Sequence, residues 1–418
     1  MRCVNLDWLE VYALESASHF PCDAEYFRSC GYFVKEREYG TRSYSQMFTI
    51  EDEHGEPWVE VRRAPQSGEA SFTGLVPESC HLRLTNRACY DNNAVGKLAD
   101  FMLKHGYLFQ RIYRIDVCLD FEIFDSGDLP AKFARRYLEC KYRKINQCHV
   151  CAHGEDNWTN FAWESLSWGN PKSMVSTKMY NKTLELAGGA KDKPYIRYCW
   201  FVAGLVDNPA DCTKRRKDGS VYKPEIWRVE FSMKSQARNW LVIEDQGGKR
   251  VKKKAIPHNL SLFDSRDKLI QRFEDLAFHY FRFSHLEYKK DDQGRPTDEV
   301  KRKDLCAPKI LFRFNQDRQP MHLDQLPKES KPVHDDEILR RRLTMYREKH
   351  FDPRLREACD ILLKNLSRNE LLRVCEKRDA LEYEILSRTI AVKMGGSEKD
   401  VTEIVAEIRS LLERGEIF

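Results

Sequence analysis

Three separated segments of the chain alternate apolar residues with residues that could do chemistry. They are residues 111–121, 174–185 and 227–234. One side of these segments carries polar side chains: Arg114, Asp116, Cys118, Asp120 and Glu122; Ser176, Lys178 and Tyr180; and Arg228, Glu230, Ser232 and Lys234. Because a period of two is typical of a half-buried strand, we expect three strands whose polar sides form one sheet face. Such a face suits metal-assisted phosphoryl transfer with a tyrosine nucleophile.

Tyr180 is the candidate nucleophile. A free phenol has a pKa of about 10 and is a poor nucleophile, but cations and a metal that stabilise the phenolate and the pentacovalent phosphorus activate it. The cations expected to hold the scissile phosphate are Lys178, Lys182, Arg114 and Arg228. Attack would leave a covalent phosphotyrosine, and its conserved bond energy would let the strand be resealed without ATP. The alternative is an ordinary half-buried strand tyrosine whose hydroxyl is hydrogen-bonded.

The acidic residues of the same face are the metal candidates: Asp116, Glu230 and Asp120. Asp116 and Asp120 lie on one predicted strand, roughly 13 Å apart between Cα atoms at ~3.3 Å per residue. Asp116 therefore pairs better with Glu230 across strands, and Asp120 is expected to orient a lysine or arginine or to support the ligands from behind. Oxygen ligands predict Mg²⁺ or Mn²⁺. Plain ion pairing with the arginines of the face is the alternative.

Clusters of basic residues flank the predicted strands that carry the polar side chains. The net charge of +5 does not by itself argue for nucleic acid, but three clusters, at residues 214–217, 249–254 and 301–303, together favour a surface that tracks phosphates. The DNA-binding candidates are Lys214, Arg215, Arg216, Lys217, Lys249, Arg250, Lys252, Lys253 and Lys254. Solvated loop charge is the alternative for any single cluster.

The chain has fourteen cysteines, scattered without a disulfide framework. The start of the sequence lacks a signal-peptide layout and no run of about 18 apolar residues occurs, so we expect reduced thiols, a cytoplasmic location and no membrane span. One tight group, Cys148, His149, Cys151 and His153, is half of a zinc site. Because no second CxxC or HxxxH follows at the usual spacing, a structural zinc is the less favoured interpretation.

The strands and helices expected to position these residues indicate an α+β domain over residues 1–315. Alternating segments fill most of the first 90 residues, and apolar residues at helical spacing predict helices at 93–105, 130–141 and 263–281. Residues 316–334 have the Pro-, Gln- and Lys-rich composition of a linker. Beyond it, capping boxes and apolar stripes predict a C-terminal all-α module over residues 335–418.

In their order along the chain, the three segments resemble the motifs of the Rep_trans replication initiation factors of rolling-circle plasmids and related mobile elements. The residues that carry the resemblance are Arg114-Ile115-Asp116 and Asp120; Ser173, Lys178, Tyr180, Asn181, Lys182 and Glu185; and Trp227, Arg228 and Glu230. Asp7-Trp8-Leu9 and the segment 81–90 are similar to the family as well. The resemblance covers about residues 1–280 and leaves the C-terminal module unmatched.

This resemblance implies an HUH-like, RRM-like antiparallel sheet flanked by helices, in which acids replace the usual metal histidines. It implies origin-specific nicking with a divalent metal, a link between a 5′-phosphate and Tyr180, and the initiation of rolling-circle replication of a plasmid or mobile element. The implied partners are origin DNA, as duplex and as exposed single strand, together with a host helicase and a second copy of the chain.

Three other functions are compatible with parts of the pattern. A relaxase for conjugative mobilisation uses the same chemistry. A non-catalytic origin-binding regulator would keep the fold, although the joint presence of Tyr180, Lys182, Asp116 and Glu230 argues against it. A zinc-dependent enzyme centred on residues 148–153 is the weakest of the three.

Overall fold

A computed structural model describes residues 1–325 of the chain, apart from residues 19, 67–74, 145–149, 158–159, 170–172, 190–191, 247–248, 303–304 and 314–317. The chain divides into two units, Met1–Leu326 and Pro327–Phe418. The predicted helical module over 335–418 lies outside the described residues.

The described residues of the first unit include twenty strands. In chain order they are β1 (Arg2–Glu15), β2 (Val34–Glu36), β3 (Tyr44–Glu51), β4 (Pro57–Pro65), β5 (Ser79–Leu84), β6 (Tyr107–Phe121), β7 (Tyr142–Lys144), β8 (Val150–Asn157), β9 (Asn160–Trp168), β10 (Val175–Asn181), β11 (Lys214–Arg215), β12 (Val221–Tyr222), β13 (Trp227–Lys234), β14 (Ala237–Gln246), β15 (Lys249–Pro257), β16 (Phe283–His285), β17 (Tyr288–Lys290), β18 (Pro296–Val300), β19 (Pro308–Lys309) and β20 (His322–Gln325). Ten of these described strands form one antiparallel sheet in the order β2-β3-β4-β5-β1-β6-β13-β10-β9-β8.

Helices pack against both sides of this sheet. They are α1 (Ala24–Ser29), α2 (Asn86–Cys89), α3 (Ala94–Lys104), α4 (Pro130–Leu138), α5 (Lys182–Gly188), α6 (Pro194–Val202) and α7 (Arg266–Tyr280). The predicted amphipathic helices over 93–105 and 263–281 correspond to α3 and α7, which both contact β6. The predicted class, an α+β domain with an antiparallel sheet flanked by helices, is confirmed. Within the described residues, no helix combines the length and apolar character that crossing a membrane requires.

The core lies between the helices and alternate residues of the central strands. On β6 and β13 these are Ile115, Val117, Leu119, Val229 and Phe231, all of which are buried. The alternation predicted from the sequence therefore holds along β13 and from Arg114 to Phe121 on β6, because the intervening residues face the other side of the sheet. That other side, which carries Asp116, Glu230 and Tyr180, is called the polar face below.

Two strands end earlier than the sequence pattern predicted. The predicted strand over 81–90 stops at Leu84, because the Thr85 side chain accepts a hydrogen bond from the Ala88 amide and starts α2. The predicted strand over 174–185 stops at Asn181, whose side-chain oxygen accepts a hydrogen bond from the Leu184 amide at 3.1 Å. Both side chains are favourable helix N-caps, which ends the strand in each case.

Part of the segment predicted as a linker belongs to the first unit. Residues 318–325 lie within the predicted linker, yet β20 pairs with β14 through Leu323 opposite Trp240. Met321 and Leu323 are buried. Two apolar side chains two residues apart suit a short strand, and this outweighs the Pro- and Gln-rich composition around them.

Candidate active site

The three strands that carry the motif residues are neighbours in the sheet. β13 lies between β6 and β10, and the register sets Arg228 opposite Asp120 on one side and opposite Tyr180 on the other. One step further along, Glu230 stands opposite Lys178. Because directly opposite residues of an antiparallel pair project to the same face, the predicted polar face exists as a continuous surface.

The Tyr180 hydroxyl lies between a carboxylate and an ammonium group. It donates a hydrogen bond to Glu230 Oε2 at 3.2 Å, and Lys182 Nζ donates to it at 3.5 Å. Burial and the nearby carboxylates of Glu230 and Asp7 raise the pKa of Tyr180 well above its usual value, although Arg228 opposes them. The resting phenol is therefore neutral, and a proton acceptor is already in contact with it.

Lys182 reaches this hydroxyl from the first turn of α5, not from the strand predicted by the sequence. The Asn181 cap ends β10 and turns the chain, so that Lys182 is buried beside Tyr180. Its ammonium also forms an ion pair with Glu185 at 2.6 Å, one turn along the same helix. The junction between β10 and α5 thus brings four motif residues close together: Tyr180, Asn181, Lys182 and Glu185.

Arg228 is at the centre of a buried polar network. Its guanidinium donates to both carboxylate oxygens of Asp120, at 2.6 and 2.7 Å, to Asp7 at 2.7 Å and to the Tyr90 hydroxyl at 2.8 Å. The Trp200 indole nitrogen donates to Asp120 at 2.7 Å. Arg228 and Asp120 are completely shielded from solvent. The expectation that Arg228 holds the scissile phosphate therefore needs correction, because its donors are already occupied by protein acceptors.

Asp116 is paired with Arg114 on its own strand. The two arginine nitrogens Nε and Nη2 both donate to its carboxylate, the first at 3.0 Å. Burial raises the pKa of Asp116, and Asp7 adds to this, while Arg114 and Ser232 oppose it. Arg114 is half-exposed and stacks over the Trp8 ring at 4.5 Å. Arg114 thus lies at the surface, and its contact with the scissile phosphate stays a prediction.

The acids of the polar face differ in how far their charge is compensated. Asp120 is fully paired with Arg228, which matches the expectation that it orients an arginine and leaves it without a free oxygen for a metal. Glu230 accepts from Tyr180, and its described contacts include no ion pair. Burial raises the pKa of Glu230 to about 7, and Asp7 and Asp116 contribute. Excess negative charge therefore collects at Glu230.

This excess bears on the predicted divalent metal. No group of three or more acidic, His or Cys side chains within the described residues is arranged to hold an ion. Mg²⁺ usually takes one or two carboxylates and completes its shell with water and substrate phosphate. Glu230 and Asp116 are diagonal neighbours on the polar face, since Asp116 stands opposite Ser232, and each carboxylate lies in a field of other carboxylates. Glu230 has no ion pair among its described contacts, whereas Arg114 holds Asp116 and Arg228 holds Asp120, so the divalent metal stays a prediction.

The basic cluster at residues 214–217 lies in a hairpin that we call the basic hairpin, formed by β11 and β12. Lys214 and Tyr222 fix it to Glu122, at 3.4 and 2.9 Å, just beyond the end of β6. Arg215, Arg216 and Lys217 are exposed. Since Glu122 follows Asp120 by two residues, the hairpin is attached at the Tyr180 end of the polar face, and its contact with DNA stays a prediction.

The second basic cluster, residues 249–254, is on a strand and not in a loop. Lys249, Arg250, Lys252, Lys253 and Lys254 lie on β15, which pairs with β14 in a separate sheet of three strands. Two residues, Ser235 and Gln236, separate β13 from β14. The role of this cluster in DNA binding stays a prediction.

The predicted half zinc site falls only partly on the described chain. Cys148 and His149 lie outside the described residues, whereas Cys151 and His153 are on β8, near the edge of the sheet. The ten cysteines with described side chains are free thiols, which agrees with the reduced state expected from the sequence.

Three residues of the site were missing from the residues predicted for it. Asp7 and Tyr90 contact Arg228, and Trp200 contacts Asp120. Asp7 and Tyr90 fall in segments that resemble the family motifs, which was the available signal. Asp7 sits at a register shift between Leu6 and Trp8, so strict alternation could not assign its direction. Trp200 comes from α6, a helix that the sequence pattern did not predict.

Two further tyrosines lie near the site, on α6. The Tyr195 ring lies against the Tyr90 ring, with 5.1 Å between centroids, and Tyr198 is exposed. No hydrogen bond joins either hydroxyl to a cation or carboxylate among the contacts described for this part of the chain. Tyr180 is therefore the tyrosine that the geometry favours.

Comparison with known proteins adds one finding. No protein-family model matches the sequence, and no curated protein matches it. Among solved structures, the rolling circle replication initiator protein from Geobacillus stearothermophilus shares 11% sequence identity at a TM-score of 0.37, over 72% of this chain and 93% of that chain. A TM-score of this size does not establish a common fold, so the function has to be argued from the site.

Proposed function

We propose that this chain is a DNA nicking and closing protein that initiates rolling-circle replication of a plasmid or mobile element. The observation that carries the proposal is the position of the Tyr180 hydroxyl, 3.2 Å from Glu230 and 3.5 Å from Lys182 on the polar face. A nucleophile in contact with a proton acceptor and a cation is the arrangement that covalent catalysis requires. The replicative role comes from the motif resemblance, because a relaxase uses the same chemistry.

The proposed reaction is a transfer of one phosphodiester bond. The Tyr180 oxygen attacks the scissile phosphorus, its proton passes to Glu230, and an oxygen–phosphorus bond to the tyrosine forms. The bond from phosphorus to the 3′ oxygen breaks, and that oxygen leaves as a 3′ hydroxyl after taking up a proton. Closing is the reverse attack of a 3′ hydroxyl on the phosphotyrosine, which needs no ATP.

The cations of the polar face have separate parts in this proposal. Lys182 lies close enough to stabilise the phenolate as it forms. Lys178 is exposed on β10, opposite Glu230, and Arg114 is half-exposed on β6, so both can meet the phosphate. Arg228 holds Asp7 and Asp120 in place below them. Preorganised charges of this kind stabilise a transition state more than mobile ones do.

A divalent cation fits the same face. Glu230 and Asp116 would hold Mg²⁺ or Mn²⁺, which when bound would neutralise charge on the phosphate oxygens. The partners proposed are origin DNA, as duplex and single strand, with a host helicase and a second copy of the chain as further partners.

The test is the nicking of supercoiled DNA that carries the origin of the parent element, in Mg²⁺ or Mn²⁺. We expect wild type to relax the DNA and to become covalently attached to it. Tyr180→Phe loses both activities and binds duplex origin within a few-fold of wild type, because only one hydroxyl is removed. Tyr198→Phe, an exposed tyrosine on α6, is the matched control and stays active. Covalent attachment that survives in Tyr180→Phe would refute the assignment.

A further inference from the structure

The polar face continues well beyond the candidate active site, across β1, β5 and β4. The register sets Glu10 of β1 opposite Arg114 and Arg83, and Glu60 of β4 opposite Arg83. These residues therefore project to the same side as Asp116. This part of the face carries a group of guanidinium groups that the sequence analysis did not single out.

We propose that Arg37, Arg62 and Arg83, the arginine cluster, bind the phosphates of the DNA strand that is cut at Tyr180. The inference rests on the proposed function and adds a second DNA contact to it. Its ligand is the phosphodiester backbone of an unpaired strand. Charge, fixed geometry and neighbouring aromatic rings support this DNA-binding role.

The charge balance of the arginine cluster favours an anion. All three guanidinium groups converge on Glu60, which Arg62 contacts at 2.7 Å, Arg83 at 3.0 Å and Arg37 at 3.4 Å. Glu60 is only 1% exposed, whereas Arg37 is 58% exposed in its side chain. The second buried acid, Glu10, accepts from Arg62 at 3.0 Å. Three cations thus lie above two buried carboxylates, and the surplus positive charge faces solvent.

The buried acids also fix the positions of the guanidinium groups. Glu60 accepts two hydrogen bonds from Arg62, through Nε at 2.9 Å and Nη2 at 2.7 Å. Arg83 donates to Glu60 through Nη2 at 3.0 Å and keeps 22% of its side chain exposed. A guanidinium group has five N–H donors in a rigid plane, so donors remain for a phosphate. Because the side chains are already ordered, binding costs less side-chain entropy.

Aromatic rings lie among these arginines, as a single strand would require. The Trp8 ring packs against two guanidinium groups. Those of Arg83 and Arg114 lie 4.6 and 4.5 Å from its ring centroid. Tyr113 was expected on the apolar side of β6, but register shifts in the β1–β6 pair place it 41% exposed, with its ring 4.4 Å from that of His81. Single-stranded DNA is bound by positive grooves lined with rings on which bases stack.

The separation of the two sites suits one continuous strand. β4 and β10 are five strand spacings apart in the sheet order, which gives about 24 Å at ~4.8 Å per spacing. A strand held at the arginine cluster can therefore run across β5, β1, β6 and β13 and present its scissile phosphate at Tyr180. The cluster would position the strand and take no part in the bond exchange.

The experiment measures the affinity of the full chain for fluorescent oligo(dT) as a function of salt. For single strands, log K falls with log salt by about 0.7 per phosphate contact. We expect the slope to decrease by about 0.7 in Arg37→Gln and by about 1.4 in the double variant Arg62→Gln with Arg83→Gln. Arg135→Gln, which removes an exposed arginine of α4 paired with Glu139, is the control and keeps the wild-type slope.

Two outcomes separate this inference from the proposed function. Slopes that are equal in wild type and in Arg37→Gln, an exposed variant that leaves both contacts of Arg62 and Arg83 to Glu60 intact, would overturn the arginine cluster as a DNA site. If wild type instead forms no covalent adduct with origin DNA while the slopes change as expected, the arginine cluster stands and the nicking function falls. A double variant that unfolds does not decide the matter, because Arg37→Gln still does.

Discussion

The two ends of the polar face pair their buried acids differently. At the Tyr180 end, Arg228 is shared between Asp7 and Asp120, and Glu230 is left with a tyrosine hydroxyl as its described hydrogen-bond partner. At the other end, Glu60 alone collects three guanidinium groups. Among the described contacts, the buried carboxylate of Glu230 has no ion pair at the first end, whereas at the second end three arginines share two buried acids, Glu10 and Glu60. The first end therefore attracts cations and protons, whereas the second attracts anions.

This difference assigns different work to two regions of one sheet. A carboxylate without a fixed counter-charge can accept a proton or help hold a divalent cation, which the chemistry at Tyr180 needs. Guanidinium groups fixed by buried acids can grip a polyanion without taking part in its chemistry. Substitutions at each end of the polar face test this division between chemistry and phosphate binding.

The largest effect should come from Asp120→Ala. This change leaves Arg228 buried without its bidentate partner and removes the acceptor of Trp200, so the free energy of unfolding should fall by about 3–5 kcal/mol. Urea denaturation measures it, with Asp192→Ala as the control, because the exposed pair of Asp192 with Arg197 should contribute at most about 1 kcal/mol. A loss of under about 1 kcal/mol for Asp120→Ala would mean that the Arg228 network does not stabilise the fold.

The pH dependence of stability should have opposite signs at the two ends. The pKa of Glu230 is raised from 4.5 to about 7, so its contribution to stability is complete below pH 4.5 and lost as the pH rises to 7. For Glu10, burial raises the pKa, but His81 and Arg62 outweigh it and the net pKa is lowered. The contribution of Glu10 is therefore present above its ordinary pKa and is lost in acid.

Melting curves in chelator from pH 3.5 to 8 test this contrast. Glu230→Gln should stabilise the protein near pH 8 by on the order of 1–3 kcal/mol and remove the decline between pH 4.5 and 7. Glu10→Gln should instead flatten the acid side and destabilise the protein near neutral pH. Two variants that change the curve in the same direction would contradict the different pairing of buried acids at the two ends.

The smallest effect concerns the basic hairpin. Arg215→Gln with Arg216→Gln should weaken duplex origin binding for all sequences alike and reduce the slope of log K against log salt by about 0.9 per lost phosphate contact. Lys289→Gln, an exposed lysine paired with Glu299, is the control. An altered sequence preference at an unchanged slope would instead mean that these arginines contact bases and not phosphates.

The sequence predicted the polar face because β6, β13 and β10 are regular strands, in which alternation alone assigns each side chain to a face. It placed Tyr180, Lys178, Glu230 and Asp116 together for this reason. The expectation that Asp120 orients an arginine came from spacing along one strand, and the contact with Arg228 agrees with it.

Other features depend on contacts that alternation does not encode. Asp7 and Arg228 are 221 residues apart in sequence, and the register shift at Asp7 depends on how β1 pairs with β6. The exposure of Tyr113 follows from a similar irregularity. Trp200, which donates to Asp120, lies on a helix that begins with Pro194 and lacks a strong apolar stripe. These positions are set by tertiary packing, so the sequence pattern predicted a surface role for a buried arginine.

The most direct test of the central claim is to identify the residue that carries DNA after cleavage. Wild-type protein is incubated with a single-stranded origin oligonucleotide in Mg²⁺ or Mn²⁺, digested with nuclease and protease, and analysed by mass spectrometry. We expect a 5′-linked nucleotide on the peptide that contains Tyr180 and on no other. A nucleotide on Tyr195 or Tyr198, or cleavage without any covalent peptide, would contradict the account.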